Sequence, residues 1–82
     1  MRTKHKRRIE LIRKILSDNK GRKELIGVWV YHVINPKLSD EYKLSVVECG
    51  NVFGQMIRLG FPLVRRKTKI GYTKVVEYEV RM

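Results

Sequence analysis

A stretch of sixteen residues, Ser45 to Gly60 (SVVECGNVFGQMIRLG), constrains the fold most strongly because it marks both ends of a helix. Ser45 is followed three residues later by Glu48, which is the S-x-x-E pattern of a capping box. Gly60 is placed to end the helix in the left-handed conformation, with Phe61 behind it for the usual hydrophobic contact. The stretch therefore predicts a helix of about four turns over residues 45–59.

This helix has an apolar face and a polar face. Asn51, Gln55 and Arg58 follow the spacing i, i+4 and i+7 away from the apolar side. Such side chains can make bidentate hydrogen bonds to adenine or guanine edges in the major groove of DNA, so the row is either a base-reading surface or a solvated helix face. The predicted buried stripe has the i, i+3, i+4 spacing and consists of Val46, Cys49, Phe53, Met56, Ile57 and Leu59.

The charge of the chain is large and unevenly distributed. Its 82 residues, enough for one domain, include 19 Lys and Arg against 8 Asp and Glu, a net charge of +11. Residues 1–23 carry a net +8 and residues 65–74 a net +5, whereas residues 24–64 carry a net −1. Such a balance favours a polyanionic partner, nucleic acid before membrane. Two basic blocks on either side of a nearly neutral helix suit the two flanking backbones of a DNA groove.

The first basic block divides into an arm and a helix. Residues 1–5 are predicted to be a flexible arm, because they contain little apolar surface to hold them in place, and residues 6–82 to form the domain. From about Lys6 to Asp18 the spacing of Ile9, Ile12 and Leu16 predicts a first helix, whose basic outer face either follows phosphates or is simply solvated. The candidate phosphate ligands of this block are Arg2, Lys4, Lys6, Arg7 and Arg8.

Residues 22–35 (RKELIGVWVYHVIN) are compatible with two structures. Their β-branched and aromatic residues favour a strand, but the apolar spacing also fits a helix, and Pro36 stands where a helix would end. We predict a second helix over residues 23–34. The alternative is a strand over residues 28–34, with a short helix near residues 39–43 in place of the second helix.

The C-terminal segment (FPLVRRKTKIGYTKVVEYEVRM) predicts a β-hairpin, with strands over residues 63–68 and 73–80 and Gly71 in the turn. A loop formed by Ile70 and Gly71 would pair Leu63 with Tyr78, although a loop one residue longer would change this register. Alternation places Val76, Tyr78 and Val80 on one face. The candidate phosphate ligands at the tip are Arg65, Arg66, Lys67, Lys69 and Lys74.

Several classes of function lack the residues they need. The sequence contains no Gly-rich phosphate loop, no paired carboxylates at hydrolase spacing and no Cys/His cluster, so we expect no enzyme activity, cofactor, metal or small-molecule substrate. No apolar stretch reaches the length of a membrane helix. The single cysteine, Cys49, is predicted to be buried and inert. These features favour a soluble, cytoplasmic protein associated with DNA.

The segment GNVFGQMIRLGFPLVRRKTKIGYTKVVEYEV resembles the recognition helix and wing of winged-helix modules, a variant of the helix-turn-helix. Such modules occur in transcription regulators and beside replication helicases and primases. The resemblance covers the second half of the chain, and the first half only by its number of helices. It implies an α+β winged-helix fold, in which three helices precede a C-terminal β-hairpin wing.

The resemblance also implies a function, namely sequence-specific binding of double-stranded DNA by a transcription regulator. The helix over residues 45–59 would lie in the major groove, with Asn51, Gln55 and Arg58 facing the bases. The wing and the N-terminal arm would contact phosphates. A homodimer reading two half-sites is compatible with the sequence. Two alternatives are a non-catalytic RNA- or ribosome-associated protein and a replication-accessory winged helix that binds another protein.

Overall fold

The computed structural model describes residues 3–82 and shows an α+β fold, as predicted. The regular elements are α1 (Thr3–Ser17), β1 (Lys23–Leu25), α2 (Ile26–Val28), α3 (Val46–Arg58), β2 (Leu63–Ile70) and β3 (Thr73–Val80). A π-helix (Trp29–Ile34) and two 3-10 turns (Asn35–Lys37 and Asp40–Tyr42) lie between α2 and α3. The three strands form an antiparallel sheet in the order β1-β3-β2, with the β2–β3 hairpin at the C-terminal end.

Helix α1 begins earlier than predicted. It starts at Thr3 instead of Lys6, so residues 3–5, which we expected in the arm, lie within the helix. The cause is a tertiary contact, because His5 Nε2 forms a hydrogen bond with Gln55 Oε1 of α3 at 3.0 Å. Residues 1 and 2 of the predicted arm lie outside the described residues. Towards its end, α1 buries Ile12, Ile15 and Leu16 against the core.

The segment from residue 23 to residue 34 is helical except for its first three residues. Residues 23–25 form β1, whose Lys23 and Leu25 pair with Glu79 and Glu77 of β3, so the predicted helix start is wrong there. The reason is backbone pairing with a distant strand, which apolar spacing does not report. The helical prediction is confirmed for residues 26–34, and the strand alternative is wrong. Burial in this part has a helical pattern, since Trp29, Val30, Val33 and Ile34 are buried while Tyr31 and His32 are exposed.

Both predicted ends of α3 are confirmed. The Glu48 N–H donates to Ser45 Oγ and the Ser45 N–H donates to Glu48 Oε1, each at 3.1 Å, which completes the capping box. At the other end Gly60 has a φ of +91°, and the Phe61 N–H donates to the Met56 carbonyl at 3.0 Å. This is the hydrogen bond of a Schellman motif.

The buried stripe of α3 differs from the prediction at two positions. Cys49, Phe53 and Met56 are buried as predicted, and Val52 is buried in addition. Leu59 was predicted to be buried but is 64 % exposed. It occupies the C-cap, where the chain leaves the helix and turns towards β2. The other two predicted members, Val46 and Ile57, are partly buried and pack against the core.

An aromatic cluster joins α3 to the sheet. The Phe53 ring packs edge-on against Trp29 and Tyr78, with ring centroids 6.3 and 4.8 Å away. The indole N–H of Trp29 also donates to the Tyr78 carbonyl at 2.9 Å. Aromatic pairs of this geometry add about 0.5–1.5 kcal/mol beyond their buried area. The cluster therefore fixes α3 relative to the hairpin.

The hairpin has a different register from the predicted one. Leu63 pairs with Val80 and Arg65 with Tyr78, so the predicted pairing of Leu63 with Tyr78 is wrong. The loop consists of Gly71 and Tyr72, with a φ of +61° at Gly71, as in a type II′ turn that begins with glycine. Moving the loop by one residue shifts the pairing by two. The predicted core face of β3 is therefore preserved, and both Tyr78 and Val80 are buried.

Candidate nucleic-acid interface

A row of four residues runs along the outer side of α3, opposite the buried stripe. Val47, Asn51, Gly54 and Arg58 follow the spacing i, i+4, i+7 and i+11, and we call them the outer row. Asn51 and Arg58 are exposed, and Val47 is 73 % exposed. A Cβ atom added at Gly54 would meet nothing within 4 Å, so this part of the row is open. Another molecule can therefore approach the helix closely.

Gln55, the third predicted base-reading residue, contacts helix α1. It is half-buried, and its Oε1 is joined to His5 Nε2 of α1. The structure thus brings Asn51 and Arg58 together on the outer row and places Gln55 at the contact between α1 and α3.

Arg8 also belongs to that contact. Its Nη1 lies 3.4 Å from Glu48 Oε2, and the side chain is 15 % exposed. The capping hydrogen bonds from Ser45, together with the Arg8 charge, hold the pKa of Glu48 below its ordinary value of 4.5. Arg8 therefore already has a carboxylate partner.

The remaining candidate cations of the first basic block lie at the start of α1. Lys4, Lys6 and Arg7 are exposed, and Arg7 Nη1 is 3.6 Å from Glu10 Oε2. Arg2 lies outside the described residues. Ion pairs this exposed are worth about 0–1 kcal/mol, so Arg7 can exchange its partner readily.

The two faces of the hairpin carry different charge. The register places Arg66 on the outer face with Glu77 and Glu79, and its Nη2 is 3.9 Å from Glu79 Oε1. The opposite face, which continues from Leu63 and Tyr78 of the core, carries four of the five predicted cations. We call these the inner-face cations: Arg65, Lys67, Lys69 and Lys74.

Two of the inner-face cations repel each other. Lys69 and Lys74 are direct cross-strand partners near the loop. Like charges in this position are destabilising. A bound anion would relieve the repulsion, which makes this end of the hairpin a favourable place for a phosphate.

A groove of about 440 Å³ connects the outer row with the hairpin. Asn51 and Gly54 line it from α3, and Arg65 lines it from β2. Its inner wall includes Tyr78, whose hydroxyl has its pKa raised by burial, an effect that the nearby Arg65 opposes. One continuous surface thus contains an amide, an arginine and, further along the hairpin, three lysines.

Other chemistry can be assessed over residues 3–82. In this part of the chain no group of three or more His, Cys, Asp or Glu is placed to hold a metal ion. No described helix is long and apolar enough to cross a membrane. Burial raises the pKa of the Cys49 thiol to about 12, so it stays protonated at neutral pH.

Our sequence interpretation omitted one exposed residue of the outer row, Val47. The signal was present, because Val47 precedes Asn51 by four residues and so shares its face of α3.

No protein family, curated protein or solved structure matches the chain. The interface is therefore interpreted from its own geometry and charge.

Proposed function

We propose that this protein binds double-stranded DNA sequence-specifically, as a winged-helix transcription regulator with α3 in the major groove. The observation that carries the proposal is the position of Asn51 and Arg58 on an exposed row of α3, beside a hairpin face with four cations. The layout of three helices with a C-terminal hairpin is compatible with a winged helix. Such a protein would act inside the cell, and it would need no cofactor or catalytic group.

Base reading in this proposal belongs to two side chains. The Arg58 guanidinium can donate to O6 and N7 of guanine, and the Asn51 amide can pair with N6 and N7 of adenine. Each good bidentate pair discriminates against the wrong base by about 1–3 kcal/mol. We assign Gln55 the role of holding α1 against α3, because base contact through its Oε1 would require breaking the hydrogen bond with His5.

Phosphate binding belongs to both basic regions. A cation that neutralises a DNA phosphate releases counterions, so the binding constant falls as the salt concentration rises. The slope of log K against log[salt] steepens by about 0.9 for each phosphate neutralised. Arg8 is less suited because its side chain is only 15 % exposed and is paired with Glu48. Arg66 is less suited because it lies on the opposite face of the hairpin from the inner-face cations, with Glu77 and Glu79. The proposed phosphate ligands are the exposed residues Lys4, Lys6 and Arg7 and the inner-face cations Arg65, Lys67, Lys69 and Lys74.

The test is selection of bound duplexes from random DNA, with structured RNA as competitor, at about 150 mM salt. We expect a recurring base motif that structured RNA does not displace. A motif made of two symmetric half-sites would indicate a homodimer, and a single asymmetric site a monomer.

Two results would overturn the proposal. Tight, salt-sensitive binding without any motif, or displacement by structured RNA, would indicate an RNA- or ribosome-associated protein. Absence of salt-sensitive binding to either nucleic acid would indicate that the outer row meets another protein, as in a replication-accessory module.

A further inference from the structure

Val47 is an apolar residue at a position where solvent alone would favour a polar one. It lies in the first turn of α3 and is 73 % exposed. Within α3, all of whose residues are described, every other large apolar side chain is buried or packs against the core. Single exposed apolar residues are common on protein surfaces, so exposure alone says little. The informative feature is its place in the outer row, four residues before Asn51.

The first turn of a recognition helix approaches base edges. In helix-turn-helix proteins the N-terminal residues of this helix contact the bases. Among the four bases, thymine presents a C5-methyl group in the major groove, and apolar side chains contact it. A β-branched valine suits such a contact because its side chain has little rotational freedom in a helix.

We propose that Val47 contacts the C5-methyl group of a thymine and so determines one base of the target site. This inference rests on the proposed function. Val47 and Asn51 are separated by about 6 Å along the helix axis, and successive base pairs by about 3.4 Å. The thymine therefore lies within about two base steps of the adenine that Asn51 reads.

The experiment removes the thymine C5-methyl group and the methyl groups of the Val47 side chain, first separately and then together. Each thymine of the selected duplex is replaced in turn by deoxyuridine, which lacks the C5-methyl group and keeps the same hydrogen-bonding edge. Dissociation constants are measured for the unchanged protein and for Val47→Ala. We expect one position at which deoxyuridine weakens binding of the unchanged protein about fourfold, the value of one buried methyl group. Val47→Ala should bind the thymine duplex more weakly and show no difference between thymine and deoxyuridine at that position.

Leu59→Ala is the matched control, because Leu59 is also apolar and 64 % exposed but lies past the end of α3. It should retain the thymine preference. Val47→Ala should fold, since it replaces an exposed valine by a better helix former.

The possible outcomes separate this inference from the proposed function. A recovered motif whose deoxyuridine substitutions affect the unchanged protein and Val47→Ala equally would overturn the role of Val47 and leave the proposed function standing. Selection without any motif would overturn the proposed function, and the role of Val47 with it.

Discussion

At the scale of single residues, the hydrogen bond between His5 and Gln55 separates Gln55 from Arg58, although the sequence spacing predicts one polar row for both. Gln55 and Arg58 are three residues apart on α3, yet Gln55 meets α1 while Arg58 is exposed. A similar difference separates Arg8, which is paired with Glu48, from the exposed Lys4. The capacity of a polar residue to bind a ligand thus depends on the partner that it already has.

This difference predicts unequal effects of two alanine substitutions. Arg58→Ala should weaken binding to the selected DNA site by about 1–3 kcal/mol and relax preference at one base position. Gln55→Ala should leave the base preference unchanged, because its Oε1 is engaged with His5. Dissociation constants on the selected site and on its single-base variants provide the measurement. Loss of preference at one base in Gln55→Ala would contradict the assignment.

At the scale of elements, the capping box of α3 sets where the helix begins and stabilises the first turn, which carries Val47 of the outer row. Ser45 and Glu48 satisfy two backbone N–H groups of the first turn reciprocally. The first turn contains Val47, so its geometry depends directly on this motif. Stability and the proposed recognition surface are therefore linked.

Ser45→Ala should lower the free energy of unfolding by about 1 kcal/mol, because it removes the acceptor of the Glu48 N–H. For a domain of this size that corresponds to a decrease in Tm of about 4–8 °C. Thermal and urea unfolding give the measurement. Ser39→Ala is the control, since Ser39 precedes the Asp40–Tyr42 turn without a side-chain capping bond. An equal loss in both variants would show that the Ser45 cap contributes nothing specific.

Glu48 should make α3 sensitive to acid. Its pKa is lowered in the folded protein, so the ionised form stabilises the fold above about 4.5, and this contribution is lost as the pH falls through the lower folded value. Glu48→Gln does not titrate, and the stability difference between the two proteins should shrink as the pH falls below 4.5. Urea unfolding at a series of pH values measures it. A difference that stays constant with pH would refute this role of the Glu48 charge.

At the scale of the whole molecule, the net charge of +11 is arranged over particular surfaces. The sheet register places four of the hairpin cations on the face that continues towards the outer row, and Arg66 on the opposite face with two glutamates. Placing four cations on one face costs electrostatic repulsion, which favours a shared role for them in binding one anionic partner. A polyanion alongside the hairpin would neutralise them.

The two hairpin faces should therefore differ in the salt dependence of DNA binding. The triple variant Lys67→Ala, Lys69→Ala and Lys74→Ala should reduce the logarithmic salt slope by nearly three, at about 0.9 for each lost phosphate contact. Arg66→Ala should change the slope little, because Arg66 lies on the opposite face of the hairpin, with Glu77 and Glu79. Affinities on random duplex DNA over a range of salt concentrations provide the comparison. If Arg66→Ala changed the slope by about 0.9, as expected for one lost phosphate contact, the assignment of the two faces would be contradicted.

The sequence by itself determined both ends of α3, the presence of the hairpin and the core face of β3. Capping, turn formation and strand alternation depend on residues only a few positions apart, so local patterns are sufficient to predict them. For the same reason Asn51 and Arg58 could be placed on an exposed face of α3 before the structure was known.

Only the tertiary structure decided the pairing of β1 with β3, the register of the hairpin and the partner of Gln55. His5 and Gln55 are 50 residues apart, and Lys23 pairs with Glu79 across most of the chain. Contacts of this kind depend on how the elements pack together. They assign Gln55 to the contact with α1 and Arg66 to the glutamate-bearing face of the hairpin.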